Sequence, residues 1–323
     1  MSRWIGLSAL ALFSMALGLV LGPTTIRIAD VWAALLGRGD ETTIAIVRDL
    51  RATRMVLAFL VGGGLAVTGA ALQALVRNPL ADPYLLGLSG GAGLGAVAAI
   101  AFGLSGVWGV PLAALGGALL AIALVYRLAV VSGSVLDPRV LLLGGVVIGA
   151  FAASLMGAIM AVAPAPEIRN ALLWLLGSFS GASWTRVWVF AAYAAIPLGI
   201  IWVQARPLDL LTLGEEPALV LGVDVERLKR TLYFAASLLT AVAVAVSGII
   251  GFVGLVIPHA VRILWGHAHG ALLPAAFLLG GSLLVAADAL ARTLFAPVEL
   301  PVGVVTALIG VPVFIILVRR WQA

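Results

Sequence analysis

The sequence predicts an all-α, polytopic membrane protein with about ten transmembrane helices, and three observations carry that reading. Hydrophobic residues make up 63% of the 323 residues and charged residues only 10%, against about a quarter charged in a soluble globular chain. Mean hydropathy is +1.19, and the apolar residues come in continuous runs rather than alternating ones. Most runs approach the roughly 20 residues that a helix needs to cross a hydrocarbon core of about 30 Å. Lipid offers the backbone no hydrogen-bond partner, so only helices or closed barrels span it, and continuous runs choose the helix. The chain reads as one transmembrane domain over residues 1–323.

The runs lie near residues 4–22, 53–76, 84–103, 109–131, 140–163, 187–204, 231–250, 252–265, 271–291 and 302–318. The first follows Arg3 as a signal peptide would. No small-x-small cleavage site precedes Gly22-Pro23 and further spans follow, so it reads as a retained helix. The second carries Gly62-Gly63-Gly64, the third Gly87, Gly91 and Gly95, and the fifth Gly145 and Gly149. Small residues four apart let helices approach closely in lipid, which predicts a tight bundle. The eighth run is short for a crossing and is expected to lie tilted or half-buried. Ten spans put both termini on one side. Taking that side as cytoplasmic places eleven basic residues there, Arg319 and Arg320 included, and eight outside. Five of those eight sit in the long loop 23–54, and long loops count less toward orientation.

The net charge of +5 invites a nucleic-acid reading, but 18 of the 19 basic residues are arginines scattered at the ends of apolar runs. That distribution fits topology, not a phosphate-tracking patch, so no nucleic-acid partner is expected. The chain has no cysteine, which excludes disulfides and thiolate chemistry.

One polar island interrupts the apolar pattern. The segment 206–230, RPLDLLTLGEEPALVLGVDVERLKR, holds nine of the chain's charged residues. Gly214 is placed as an N-cap with Glu215 and Glu216 in the first turn, Pro217 follows, and Gly222 is placed to end the helix in a left-handed conformation. Asp224 is placed to cap a second short helix. Two short helices hinged at Gly222-Val223 would form a rigid projection, the kind of surface on which a membrane protein meets a soluble partner.

The run LGEEPALVLGVDVERLKR resembles the cytoplasmic coupling helices of the FecCD family, permease subunits of type II ATP-driven importers for ferric siderophores, haem and vitamin B12. Four further segments are similar to that family, in its order: RNPLADPYLLGLSGGAGLGA from Arg77, LLWLLGSFSGASW from Leu172, SGIIGFVGLVIPHAVRIL from Ser247 and ELPVGVVTALIGVPVFIILVRR from Glu299. The resemblance implies a ten-helix permease working as a homodimer with a second copy of itself. It also implies an ATPase dimer below, a periplasmic binding protein above, and residence in the bacterial inner membrane. On this reading the subunit hydrolyses nothing itself and holds no cofactor. No phosphate-cradling GxxxxGK[ST] loop contradicts it.

Residue roles follow from the same resemblance. Leu213, Gly214, Glu215, Glu216, Ala218, Leu221, Gly222 and Val223 would form the ATPase-coupling surface. Asp137 and Pro138 would stand at the cytoplasmic gate. Leu143, Val147, Ser154 and Met156 of the fifth helix would line the pathway. Arg51, Arg54 and Arg292 would dock the binding protein by meeting its glutamates. The ligand stays open, because siderophore, haem and vitamin B12 permeases share these motifs.

Three other constellations invite chemistry. Gly87-Leu88-Ser89-Gly90 matches the GxSG pattern of intramembrane serine proteases, but a nucleophile needs a histidine base within reach, and nothing in the sequence brings His259 to Ser89. His267-Ala268-His269 suggests a metal, yet two histidines two apart point to different helix faces with no acidic residue close by, so no ligation is expected. His269 matches a family histidine that usually follows an aspartate, and Ala268 stands in that aspartate's place. Asp288 and Arg292 are one turn apart near the outer end of the ninth span, where an ion pair is expected.

Overall fold

The structure, a computed structural model, describes residues 2–104, 106–131 and 137–321, with side chains described up to residue 316. The side chains of Arg319 and Arg320 lie outside the described residues. Fifteen α-helices and no strand occur among the described residues. The ones that cross or nearly cross a membrane are α1 (Ser2–Val20), α4 (Ala52–Val76), α5 (Leu88–Ala101), α6 (Gly109–Val131), α7 (Pro138–Val162), α9 (Trp184–Val203), α12 (Val225–Ser247), α13 (Val253–Trp265), α14 (His269–Thr293) and α15 (Val302–Trp321). Seven are long and apolar enough to cross, and α5, α13 and α15 are apolar over shorter described lengths. Together they coincide with the ten apolar runs. The remaining helices are α2 (Ile28–Leu35), α3 (Glu41–Ala45), α8 (Ala165–Leu175), α10 (Ala205–Thr212) and α11 (Glu215–Val220).

The inner helices are α4 and α12, buried along most of their length. Glycine makes that possible. A Cβ on Gly280 of α14 would sit 2.5 Å from the Gly62 carbonyl oxygen of α4, so the two backbones touch with no side chain between them. Gly91 and Gly95 of α5 meet Gly117 and Ala113 of α6 in the same way, as the four-residue spacing predicts. Larger side chains fill the wider gaps. Phe59 and Phe277 meet edge to face at 5.9 Å, and the buried Tyr233 hydroxyl of α12 donates to the Ile122 carbonyl of α6 at 3.1 Å.

One boundary differs from the sequence reading, and one unwound link adds to it. The second span is not a helix from residue 53 preceded by a loop. Asp40 caps α3 through Thr43 N at 2.8 Å, and α3 runs through a π-helical turn, Ile46–Arg51, straight into α4. Polar residues on these turns hid a helix that carries on above the apolar run. The eighth run is half-length as expected. Helix α13 starts only after the non-helical link 248–252, with Phe252 in the left-handed region at φ 70°. Unwound backbone inside a bundle must find partners within the protein. Tyr84, from the turn Pro83–Leu86, supplies them: its hydroxyl donates to Ile250 O at 3.1 Å and accepts from Ile250 N at 3.2 Å. At the adjoining bend, Ser178 N donates to Ser247 O at 2.8 Å and Gly303 N to Leu176 O at 3.1 Å.

Candidate coupling, docking and pathway sites

The charged island folds as two short helices followed by a long one. An unforeseen helix, α10, comes first, then α11. The predicted second short helix is instead the first turn of α12, capped by Asp224 through Arg227 N at 3.0 Å. A polar start followed by an apolar continuation reads as two elements in sequence and is one helix in space.

Helix α11 ends as its glycine predicts. Gly222 has φ 85°, Gly222 N donates to Leu219 O at 2.9 Å, and Val223 N donates to Ala218 O at 3.0 Å, the paired bonds of a Schellman stop. Gly214 stands at the N-cap with φ 128°. Glu215 turns back to the bundle, pairing with Lys229 Nζ of α12 at 2.6 Å and with Arg77 at 3.4 Å. Lys229, the chain's one lysine, is 5% exposed, so this is the clamp that seats α11. Ala218 is buried beneath it. What faces outward is Glu216 and an apolar group: Leu213 at 66% exposure, Leu219 at 57%, Val220 at 87% and Leu221 at 58%. Such an exposed apolar group within the most charged segment of the chain is of the kind that a protein partner covers. Leu219 and Val220 join the predicted coupling set on this ground, whereas Glu215 and Ala218 hold the helix from behind.

At the end of the bundle opposite the charged island, expected to be the outer one, the three arginines converge, but not as free charges. Arg54 bridges Asp288 at 2.9 Å and Glu299 at 2.8 Å. Arg292 pairs with Asp288 at 3.0 Å, as its spacing predicts, and donates to Gly18 O at 3.0 Å. Arg51 donates to the carbonyls of Leu19 and Val20 at the end of α1 and to that of Thr24 in the loop beyond it. Arg51 and Arg292 are only 3% and 2% exposed, which corrects the picture of a rim of projecting guanidiniums. A cation at this depth takes carboxylates and helix-end carbonyls in place of water. Glu299, whose side chain is 34% exposed, is the member of the cluster that reaches outward.

Helix α7 opens at Asp137, whose carboxylate accepts from Arg139 N at 2.8 Å, with Pro138 in the first turn. The helix is exposed over most of its surface, and Leu143, Val147, Phe151 and Ser154 form one exposed stripe along it at helical spacing. The Ser154 hydroxyl is turned onto its own helix, donating to Ala150 O at 3.0 Å. Met156 differs from the predicted lining: it is half-buried, with its sulfur against Gly93 of α5.

The histidine question has an answer the sequence concealed. Asp209, on α10 and sixty residues away, takes the place of the aspartate missing at Ala268. Its Oδ1 accepts from His269 N at 2.8 Å and lies 2.6 Å from His269 Nδ1. It thereby both caps α14 and orients the imidazole. No local pattern could have signalled it. No hydrogen bond joins Ser89 to a histidine among the described residues, and His259, His267 and His269 all line one cavity instead. Nothing supports the protease reading.

Comparison with known proteins agrees with this geometry. The model of the FecCD transport family matches residues 10–320. The cobalamin import system permease protein BtuC of Halobacterium salinarum is 45% identical over 86% of this chain and 74% of its own length. The uncharacterized ABC transporter permease protein YvrB of Bacillus subtilis is 40% identical over 98% and 93%, and a vitamin B12 permease BtuC of Escherichia coli O157:H7 is 39% identical over 98% and 95%. Among solved structures, a metal-chelate type ABC transporter in an inward-facing conformation superposes with a TM-score of 0.88 at 30% identity, covering 99% of both chains. With the family model matched over residues 10–320 and relatives and a solved structure aligned over most of the chain, the chain belongs to the FecCD transport family as a polytopic ABC-importer permease.

Proposed function

We propose that this permease moves a corrinoid or a ferric chelate inward across a bacterial inner membrane, working as a homodimer on an ATPase dimer. The observation that carries the reading is the clamped helix α11 with its exposed apolar group Leu213, Leu219, Val220 and Leu221. A firmly seated helix that presents apolar surface to the cytoplasm is a fitting foothold for an ATPase whose motion must be transmitted. The exposed stripe of α7 is the face we assign to the pathway and to the second copy, with Asp137 and Pro138 at its cytoplasmic mouth. A bulky solute needs a smooth, weakly binding wall, and Leu143, Val147 and Phe151 supply one. The relatives that carry cobalamin or vitamin B12 in their names favour a corrinoid.

The outer cluster is the surface we assign to a periplasmic binding protein, by way of Arg54. Its guanidinium already holds Glu299, so an incoming glutamate would replace an internal carboxylate rather than find a vacant cation.

The test is ATP hydrolysis by the reconstituted complex of permease, ATPase and binding protein. Cobalamin, a ferric siderophore and haem are supplied in turn. One of the three is expected to stimulate hydrolysis and accumulate inside vesicles, and failure of all three removes this cargo class.

A further inference from the structure

All three histidines of the chain meet in one place that the transport reading does not use. A cavity of about 520 Å³ lies between the cytoplasmic ends of α4 and α13, the end of α10 and the start of α14. Its polar wall includes Gln73, Arg77, His259, Arg262, His267 and His269 beside the neutral Asn78 and Thr212, with no carboxylate among the lining residues. Arg262 is half-buried, and its side chain bonds only the neutral Gln73 Oε1, at 2.5 Å. No ion pair joins it to a carboxylate among the described residues. His269 is 2% exposed. Its Nδ1 is taken by Asp209, which leaves Nε2, buried and without a partner, as the ring's free polar atom. Arg77 reaches Glu215 only at 3.4 Å. Arg77 and the His269 Nδ1 thus have carboxylate partners outside the cavity wall, whereas the Arg262 guanidinium and the His269 Nε2 are left without an acidic partner at a space that His259 and His267 also line.

The surroundings say which anion. Just beyond Arg262, Ile263 and Leu264 are 60% and 51% exposed, an apolar flank at the edge of the polar cavity. Trp265 lies 6.1 Å from Trp4, and Arg3 donates to Leu264 O at 2.7 Å. Paired tryptophans and an arginine at one level mark a membrane–water interface. Basic pockets between helices on the cytoplasmic side suit anionic headgroups, with acyl chains lying on the apolar flank.

We propose that this cavity binds a phosphate group, presented by an anionic phospholipid of the cytoplasmic leaflet or as the free ion. Arginine forks and imidazole N–H groups match phosphate oxygens well, and such charge-assisted bonds are the strong ones.

Native mass spectrometry of the delipidated permease tests it, with phosphatidylglycerol, phosphatidylcholine and inorganic phosphate as separate probes. One phosphatidylglycerol per chain should be retained in preference to phosphatidylcholine. Arg262→Gln and the exposed His267→Ala should each lower that retention, the arginine change roughly tenfold or more. Arg206→Ala, on the same side but outside the cavity wall, should leave it unchanged. Retention of inorganic phosphate without phosphatidylglycerol would assign the site to the free ion. Retention of neither, or equal retention in Arg262→Gln, His267→Ala and the wild type, overturns the proposal. A circular-dichroism melt of each variant separates lost binding from lost fold.

Discussion

Gly222 shows how a single residue can be needed for its backbone alone. No atom lies within 4 Å of where its Cβ would be, so substitution meets open space, yet its φ of 85° is one that β-branched residues resist. Gly222→Val should cost about 1 kcal/mol or more at the hinge, while Gly222→Asn should be nearly silent. Uptake and ligand-stimulated ATP hydrolysis should fall in the valine variant with insertion intact; equal activity of both variants removes the hinge from the mechanism. Glu299 supplies the second test at this scale. Because it occupies Arg54, Glu299→Gln should release the guanidinium and tighten docking of the binding protein several-fold at low salt, since charge at a rim chiefly sets encounter and register. Unchanged or weaker docking would argue that Arg54 meets no carboxylate of a partner.

At the scale of elements, the glycine contacts make a sharp contrast. Gly62→Val drives a branched side chain into the α14 backbone and should cost about 1–3 kcal/mol or more, whereas Gly116→Val in α6 meets nothing within 4 Å and should be neutral. Melting temperatures in detergent decide it, and a neutral Gly62→Val would mean that α4 and α14 are less closely joined than described. These glycines were legible because their spacing is local and periodic, and so were the Gly222 stop and the Asp224 cap. Helix α10 was not, because its polar residues read as loop. The partners of charged groups escaped for a different reason. Asp209 with His269, Lys229 with Glu215, and Glu299 with Arg54 join distant segments, and only the fold brings them together. For that reason the sequence found the three outer arginines and the local pair of Arg292 with Asp288, but drew Arg51 and Arg54 as free, when the fold had already given them partners.

For the whole molecule, the exposed stripe of α7 makes the proposed dimer testable in a chain without cysteine. Single cysteines at Leu143, Val147 or Phe151 should crosslink between copies in the assembled complex, while cysteines at the buried Leu141 or Ala152 should not. Crosslinking at none of the three exposed positions would rule out a pathway between two α7 helices. The clamp of Glu215 on Lys229 has a mechanical meaning beyond holding α11 in place. Lys229 sits in the second turn of α12, and α12 is a rod of 23 residues, about 34 Å long at 1.5 Å per residue. Through that hook, a tug on α11 acts on a stiff strut rather than a slack loop, and the strut ends at Ser247, whose carbonyl grips Ser178 at the opposite mouth. Glu215→Gln unhooks the strut and strands a buried ammonium, so it should uncouple transport from hydrolysis more severely than Lys229→Met, which leaves Glu215 to Arg77. Equal coupling in the two variants would mean that the stroke travels by another route. If the hook carries it, a movement begun in the cytoplasm arrives at the far side of the membrane with little loss of amplitude.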